Sequence, residues 1–177
     1  VGSAHLRELE RGITVTEMAI SEDNIQSNSS GSGNINPERI QYMIETLERD
    51  LPPLFERDIG YDIYSQDICF TDPINTFNGK FSYRIVYWTL RFHGQLFFTH
   101  IELDLHDVEQ TAPEHIEANW TVKGTLRLPW KPKIYFNGTS NYSINSEGLI
   151  YKHVDTWDRK PIEVLKQFFR RGQNKPS

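Results

Sequence analysis

The stretch Leu96-Phe97-Phe98-Thr99-His100-Ile101-Glu102-Leu103-Asp104-Leu105-His106 decides the fold, because the hydrophobic period changes within it. Before it, Ile85, Trp88 and Phe92 recur at steps of three and four, which predicts a helix over about Gly79 to Phe92. Within it, Ile101, Leu103 and Leu105 alternate with Glu102, Asp104 and His106, the period of a half-buried strand. The alternation returns in Ile116, Ala118, Trp120 and Val122, then in Ile134, Phe136, Tyr142 and Ile144 around Gly138, read as a bulge. Asn145-Ser146-Glu147-Gly148 makes a turn, and Leu149 to Asp158 a last strand.

Upstream, Asn36-Pro37-Glu38 combines a capping side chain, a proline suited to a first helical position and an acid at the positive dipole end. Ile40, Met43, Ile44, Leu47 and Leu51 follow at helical spacing, and Pro52-Pro53 ends the run. Downstream, Pro161 to Arg171 reads as a final helix carrying Ile162, Leu165, Phe168 and Phe169. Helices followed by a strand meander predict an α+β domain, a curved antiparallel sheet wrapped as a cone around a pocket.

No aromatic residue precedes Tyr42, and residues 21 to 34 are rich in Ser, Gly and Asn. Residues 1–35 are therefore expected to be a flexible arm, 36–160 the α+β domain, and 161–177 a basic amphipathic helix and tail. With 177 residues and 37% hydrophobic content, one core is the expectation.

The formal charge of -5 disfavours a general nucleic-acid binder. No run of about 18 apolar residues predicts a membrane span, and no secretory block opens the chain. The single cysteine, Cys69, excludes internal disulfides and multi-cysteine metal sites and is expected in the core. His100, Glu102, Asp104 and His106 share a strand face, but alternate residues lie ~7 Å apart and point in parallel, so they cannot converge on one metal ion. Motifs for phosphate cradling, for a serine nucleophile on an elbow turn and for zinc-protease chemistry are absent.

Period two places Leu149, Tyr151, His153, Asp155 and Trp157 on one strand face. Facing the cavity, His153 and Asp155 make either a proton-transfer pair or a hydrogen-bonded structural pair. Tyr87 and Arg91 are one helical turn apart; Arg91 is a candidate anion clamp or a partner for Asp155, and Trp88 a pocket wall. Pro129-Trp130-Lys131-Pro132 makes a rigid corner that sets Trp130 at the pocket mouth or toward a partner. Phe168 and Phe169 with Arg170 and Arg171 form a candidate surface for an anionic membrane or a partner protein.

Several motifs resemble one family, catalogued as domain of unknown function 2358 and grouped with the SnoaL-like and nuclear-transport-factor-2-like folds. They include Asp50-Leu51-Pro52, Tyr61-Asp62-Ile63-Tyr64, Phe70-Thr71-Asp72-Pro73, Thr76-Phe77-Asn78-Gly79, Arg91-Phe92-His93-Gly94, Pro129-Trp130, Gly138-Thr139-Ser140 and Gly148-Leu149-Ile150-Tyr151-Lys152-His153. They fall across roughly residues 37 to 158. The resemblance implies a cone-like fold, residence in a plastid (stroma or thylakoid surface) or in a cyanobacterial cytoplasm, and dimerisation through the outer sheet face. Fusion of some members to a SOUL-type haem-binding domain makes a tetrapyrrole a candidate ligand. It transfers no catalytic residue.

Two functions follow. The favoured one is a noncatalytic binding module whose residues Trp88, Arg91, His153, Trp157 and Trp130 hold an apolar ligand or dock on a photosynthetic protein complex. The alternative is a SnoaL-like isomerase, cyclase or dehydratase with proton transfer by His153 or Asp155, which requires an open cavity of at least ~300 Å³ reaching those side chains.

Overall fold

A computed structural model describes residues 35–169. Residues 1–34 of the arm expected at 1–35, and the basic end from Arg170, lie outside the described residues. Helix α1 runs over Pro37–Asp50, strands β1 and β2 over Tyr64–Thr71 and Thr76–Asn78, and helix α2 over Lys80–Phe97. Strands β3 to β6 follow over Phe98–Ala112, His115–Leu126, Lys133–Ile144 and Ile150–Trp157, and α3 over Pro161–Gln167.

Asn36 caps α1, its side-chain oxygen accepting the Glu38 N–H at 2.9 Å. Ile40, Met43 and Leu47 are buried, as their spacing requires. At the other end Asp50 ties the following loop back to the helix. It accepts the Gly60 N–H at 2.7 Å and Arg49 Nε at 2.9 Å. Burial pushes this carboxyl up, but the bonds from Arg49 and Gly60 outweigh it and leave the pKa below its ordinary value of 3.8. A folded pKa below the unfolded one means that Asp50 stabilises the fold fully above the ordinary carboxylate range and loses that contribution as pH falls through the folded value. Urea melts between neutral pH and pH ~3 are thus expected to show an acid loss of stability that Asp50→Asn reduces; an unchanged acid slope in the variant contradicts this role.

The six strands form one sheet in the order β2-β1-β6-β5-β4-β3. All neighbours are antiparallel except β1 and β6, which run parallel. The sheet is therefore mixed, whereas the sequence predicts only antiparallel pairing. Helix α1 packs on β3, α2 on β1 and β3, and α3 on β5. Register shifts between Leu105 and Asp107, and twice more along β3, bend the long β3–β4 hairpin. The expected inward rows of β4 and β5 are buried, from Ile116 to Val122 and from Ile134 to Ile144. Gly138 lies in regular register opposite Trp120 and is not a bulge. It leaves room for an indole, since a Cβ there would lie 2.3 Å from Trp120 Cη2.

Helix α2 extends to Phe97, five residues beyond the expected end, and turns its other side to the core. Tyr83, Tyr87 and Gly94 are buried, whereas Ile85, Trp88 and Phe92 face solvent. The helix carries two apolar stripes, and the tyrosine stripe is the buried one. Helix α3 ends at Gln167 rather than Arg171. Cys69 is half-buried rather than in the core.

Candidate functional site

The concave face of the sheet, the inner side of α2 and α3 enclose a cavity of about 320 Å³. Its walls are almost wholly apolar, including Phe55, Val86, Leu103, Phe136 and Leu165. Polar groups enter it chiefly at one end, where Ser140, His153 and Asp155 sit together.

Sheet register assembles this end. His153 and Asp155 share a face of β6, Ser140 on β5 pairs with Asp155, and Tyr142 pairs with His153. The His153 ring is 2% exposed, held between Tyr142 at 4.3 Å and Phe70 at 4.8 Å between ring centres. Its Nδ1 lies 2.8 Å from the Tyr83 hydroxyl and its Nε2 2.8 Å from Asp155 Oδ1. Ser140 donates to the same Oδ1 at 2.5 Å and accepts the Trp120 indole N–H at 2.9 Å. Tyr87 lies 3.2 Å from Tyr83, hydroxyl to hydroxyl.

Burial, reinforced by neighbouring groups, raises the Tyr83 and Tyr87 hydroxyls well above their ordinary pKa, so both keep their protons. Every bond is satisfied when Tyr83 donates to Nδ1 and the ring proton sits on Nε2. Protons from both sides then point toward Asp155 Oδ1. Asp155 lines the cavity, and its Oδ2 has no hydrogen-bond partner among the described residues. Oδ1 is fixed in place by two protein donors, and Oδ2, on a side chain that lines the cavity, has none among the described residues.

The structure brings His153, Asp155 and Trp157 together in the cavity wall. The other expected site residues fall elsewhere. Trp88 is 58% exposed on the outer face of α2, stacked on Phe92, and is no pocket wall. Arg91 is not in the wall and makes no pair with Asp155; its Nη1 lies 2.7 Å from Asp58 Oδ1, off the line of its N–H bonds, so attraction between charges holds the pair. The helix turn that buries Tyr87 aims Arg91 at the loop after α1. Trp130 lies outside the cavity, its indole N–H 3.3 Å from the Phe168 carbonyl. Phe168 lines the cavity, Phe169 is 81% exposed, and Arg170 and Arg171 lie outside the described residues. Tyr151 faces solvent because a register shift against β5 breaks the alternation at the start of β6.

Sequence reading missed Tyr83, Ser140 and Trp120 as parts of the site. Ser140 carried a signal, a polar residue in an inward-facing row between Gly138 and Tyr142. Within this cavity neither a metal nor a tetrapyrrole fits the described residues. Among the described residues no group of three metal-ligating side chains converges. Both nitrogens of His153 are engaged, leaving none for an axial bond, and the cavity is too small to enclose a macrocycle. Among the described residues no helix is long and apolar enough to cross a membrane.

A curved, open sheet closed by helices over an apolar cavity is the cone of the nuclear-transport-factor-2-like and SnoaL-like folds. A nuclear-transport-factor-2-like protein from Anabaena variabilis superposes with a TM-score of 0.50 at 13% identity, covering 74% of this chain and 94% of that one. The epoxide hydrolase/cyclase-like enzyme SalBIII superposes with the same score at 12% identity, covering 68% and 90%. The family described as "Uncharacterized conserved protein (DUF2358)" matches residues 41–153, and the chain belongs to it. Two similar mammalian proteins are uncharacterized. One is human C6orf136, 28% identical over 66% of this chain; the other is its rat homolog, 29% identical over the same share. This chain spans 41% of the human protein's length and 75% of the rat protein's.

Proposed function

We propose that the cavity binds a small apolar molecule bearing one hydrogen-bond donor, which Asp155 Oδ2 accepts. The observation that carries this reading is a carboxylate oxygen without a protein partner at the polar end of an apolar cavity. A volume of about 320 Å³ lies at the small end of ligand pockets. Calorimetry with 2-naphthol and 2-methoxynaphthalene separates shape from donation. The phenol is expected to bind at least ~10-fold more tightly than its methyl ether, because a hydrogen bond to a charged group contributes about 1.5–3 kcal/mol. Equal affinities, or no binding of either, overturn the proposal.

A second reading, proton transfer, is favoured by the same oxygen. A carboxylate held by His153 and Ser140 can take a proton from carbon next to a carbonyl and return it, the chemistry of an isomerase or dehydratase. Asp155 is then the group that touches the ligand, and His153, sequestered among aromatics, positions it. Exchange of the α-protons of 2-tetralone in D2O, followed by NMR, tests this: catalysis lost in Asp155→Asn supports it, and a rate no faster than buffer contradicts it. Plastid residence and docking on a photosynthetic complex rest on the resemblance alone. Similar chains occur in mammals, which have no plastids, and we therefore take the proposed ligand to be one not confined to photosynthetic cells.

A further inference from the structure

The side of α2 that faces away from the core carries Phe81, Ile85, Trp88, Phe92 and Leu96, which are 47–78% exposed. At 100° per residue they fall within one arc, opposite the buried Tyr83, Tyr87 and Gly94. Trp88 and Phe92 stack on each other with ring centres 5.3 Å apart. A patch of this kind, on the order of 500 Å², matches the largest exposed apolar patches of monomeric proteins, which mark interaction sites.

We infer that this stripe is the two-fold interface of a homodimer in which two α2 helices pack antiparallel. The spacing is the first argument. The five residues follow one another at steps of four, three, four and four, and reversal about a point just after Trp88 exchanges Phe81 with Leu96 and Ile85 with Phe92 and leaves Trp88 beside the axis. Antiparallel pairing sets Phe81 against the partner's Leu96, Ile85 against the partner's Phe92, and the two Trp88 rings across the axis. An isologous contact requires such self-complementarity. Charge is the second argument. Helix α2 contains Lys80, Arg84 and Arg91 but no acid, and Arg91 is taken by Asp58. Arg84 lies over the Tyr61 ring, 5.0 Å from its centre, which leaves Lys80 as the cation that parallel helices would oppose to itself. Antiparallel helices set Lys80 beside the negative dipole end of the partner helix. Area is the third: two copies of the stripe bury roughly 1,000 Å², the lower bound for a specific interface. An aromatic, cationic face would also suit an anionic bilayer, but a bilayer imposes no symmetry on the row.

Sedimentation of the full chain from about 1 to 100 µM is expected to show a monomer–dimer equilibrium. Trp88→Glu and Phe92→Glu weaken it at least ~10-fold, with circular dichroism and 2-naphthol binding unchanged. Tyr135→Glu, on the outer sheet face, leaves it intact. Should Trp88→Glu fail to fold, cross-linking in a Cys69→Ser background decides. Under mild oxidation Trp88→Cys cross-links to itself, and Phe81→Cys cross-links to Leu96→Cys but not to itself. A monomer at every concentration, a dimer that survives Trp88→Glu, a dimer broken only by Tyr135→Glu, or a monomer captured through α2 by phosphatidylglycerol vesicles each overturn the inference.

Discussion

Asp155→Asn is expected to cut the affinity for 2-naphthol by about 10- to 150-fold while leaving the fold almost untouched. The physical reason is the split role of the two carboxylate oxygens. Oδ1 takes both protein donors, from His153 Nε2 and Ser140 Oγ. An asparagine keeps a carbonyl there, because turning its amide nitrogen toward two donors would leave all three unsatisfied. The NH2 group must then occupy the place of Oδ2, and the cavity offers a donor where it offered an acceptor. A ligand hydroxyl loses a charge-assisted bond of about 1.5–3 kcal/mol. Stability, read by urea denaturation, changes by less than about 1 kcal/mol. Asp155→Ala differs, since it strands His153 and Ser140 in a low-dielectric site and destabilises the fold by about 2 kcal/mol. Unchanged 2-naphthol affinity in Asp155→Asn would place the ligand elsewhere.

The second large effect is on stability. Gly138→Ala puts a methyl group 2.3 to 2.7 Å from three atoms of the Trp120 ring. Neither side yields easily: Gly138 lies mid-strand, paired with Trp120 on one side and Trp157 on the other, and Trp120 is buried with its N–H bound to Ser140. The indole must swing into the cavity or the strand must shift. Overpacking and the lost hydrogen bond together cost about 3 kcal/mol, which lowers Tm by roughly 6–12 °C for a domain of this size. A second change, Trp120→Phe, returns part of the loss by removing the clashing atoms. Gly138→Ala alone also loses 2-naphthol binding, because a displaced Trp120 occupies the cavity. An unaltered Tm would mean that Trp120 is not wedged against Gly138.

Parts of this account were legible in the sequence because local chemistry decided them. Asn36-Pro37-Glu38 starts a helix whatever lies beyond it, and the rows from Ile116 and Ile134 alternate because one face of each strand meets the core. The placement of His153 and Asp155 on one strand face follows from period two alone. What failed to show depended on distant partners. β1 has no clean alternation, since its pairing with β6 shifts register between Tyr64 and Cys69, so the parallel pair was invisible. Helix α2 has two apolar stripes, and periodicity finds a stripe without saying which one meets the core. Arg91 pairs with Asp58 across a loop whose course no spacing rule gives. Ser140 and Tyr83 read as an ordinary strand serine and helix tyrosine until the sheet register sets them beside Asp155 and His153.

A ligand that donates to Asp155 inside the cone changes the surroundings of its carboxyl carbon. The most direct measurement follows the carboxyl ¹³C resonance of Asp155 while 2-naphthol is added. The account predicts that this resonance moves and saturates with the calorimetric binding curve, and that it stays still when 2-methoxynaphthalene is added. A stationary Asp155 resonance, with the shifts gathered on residues outside the cavity, would contradict it.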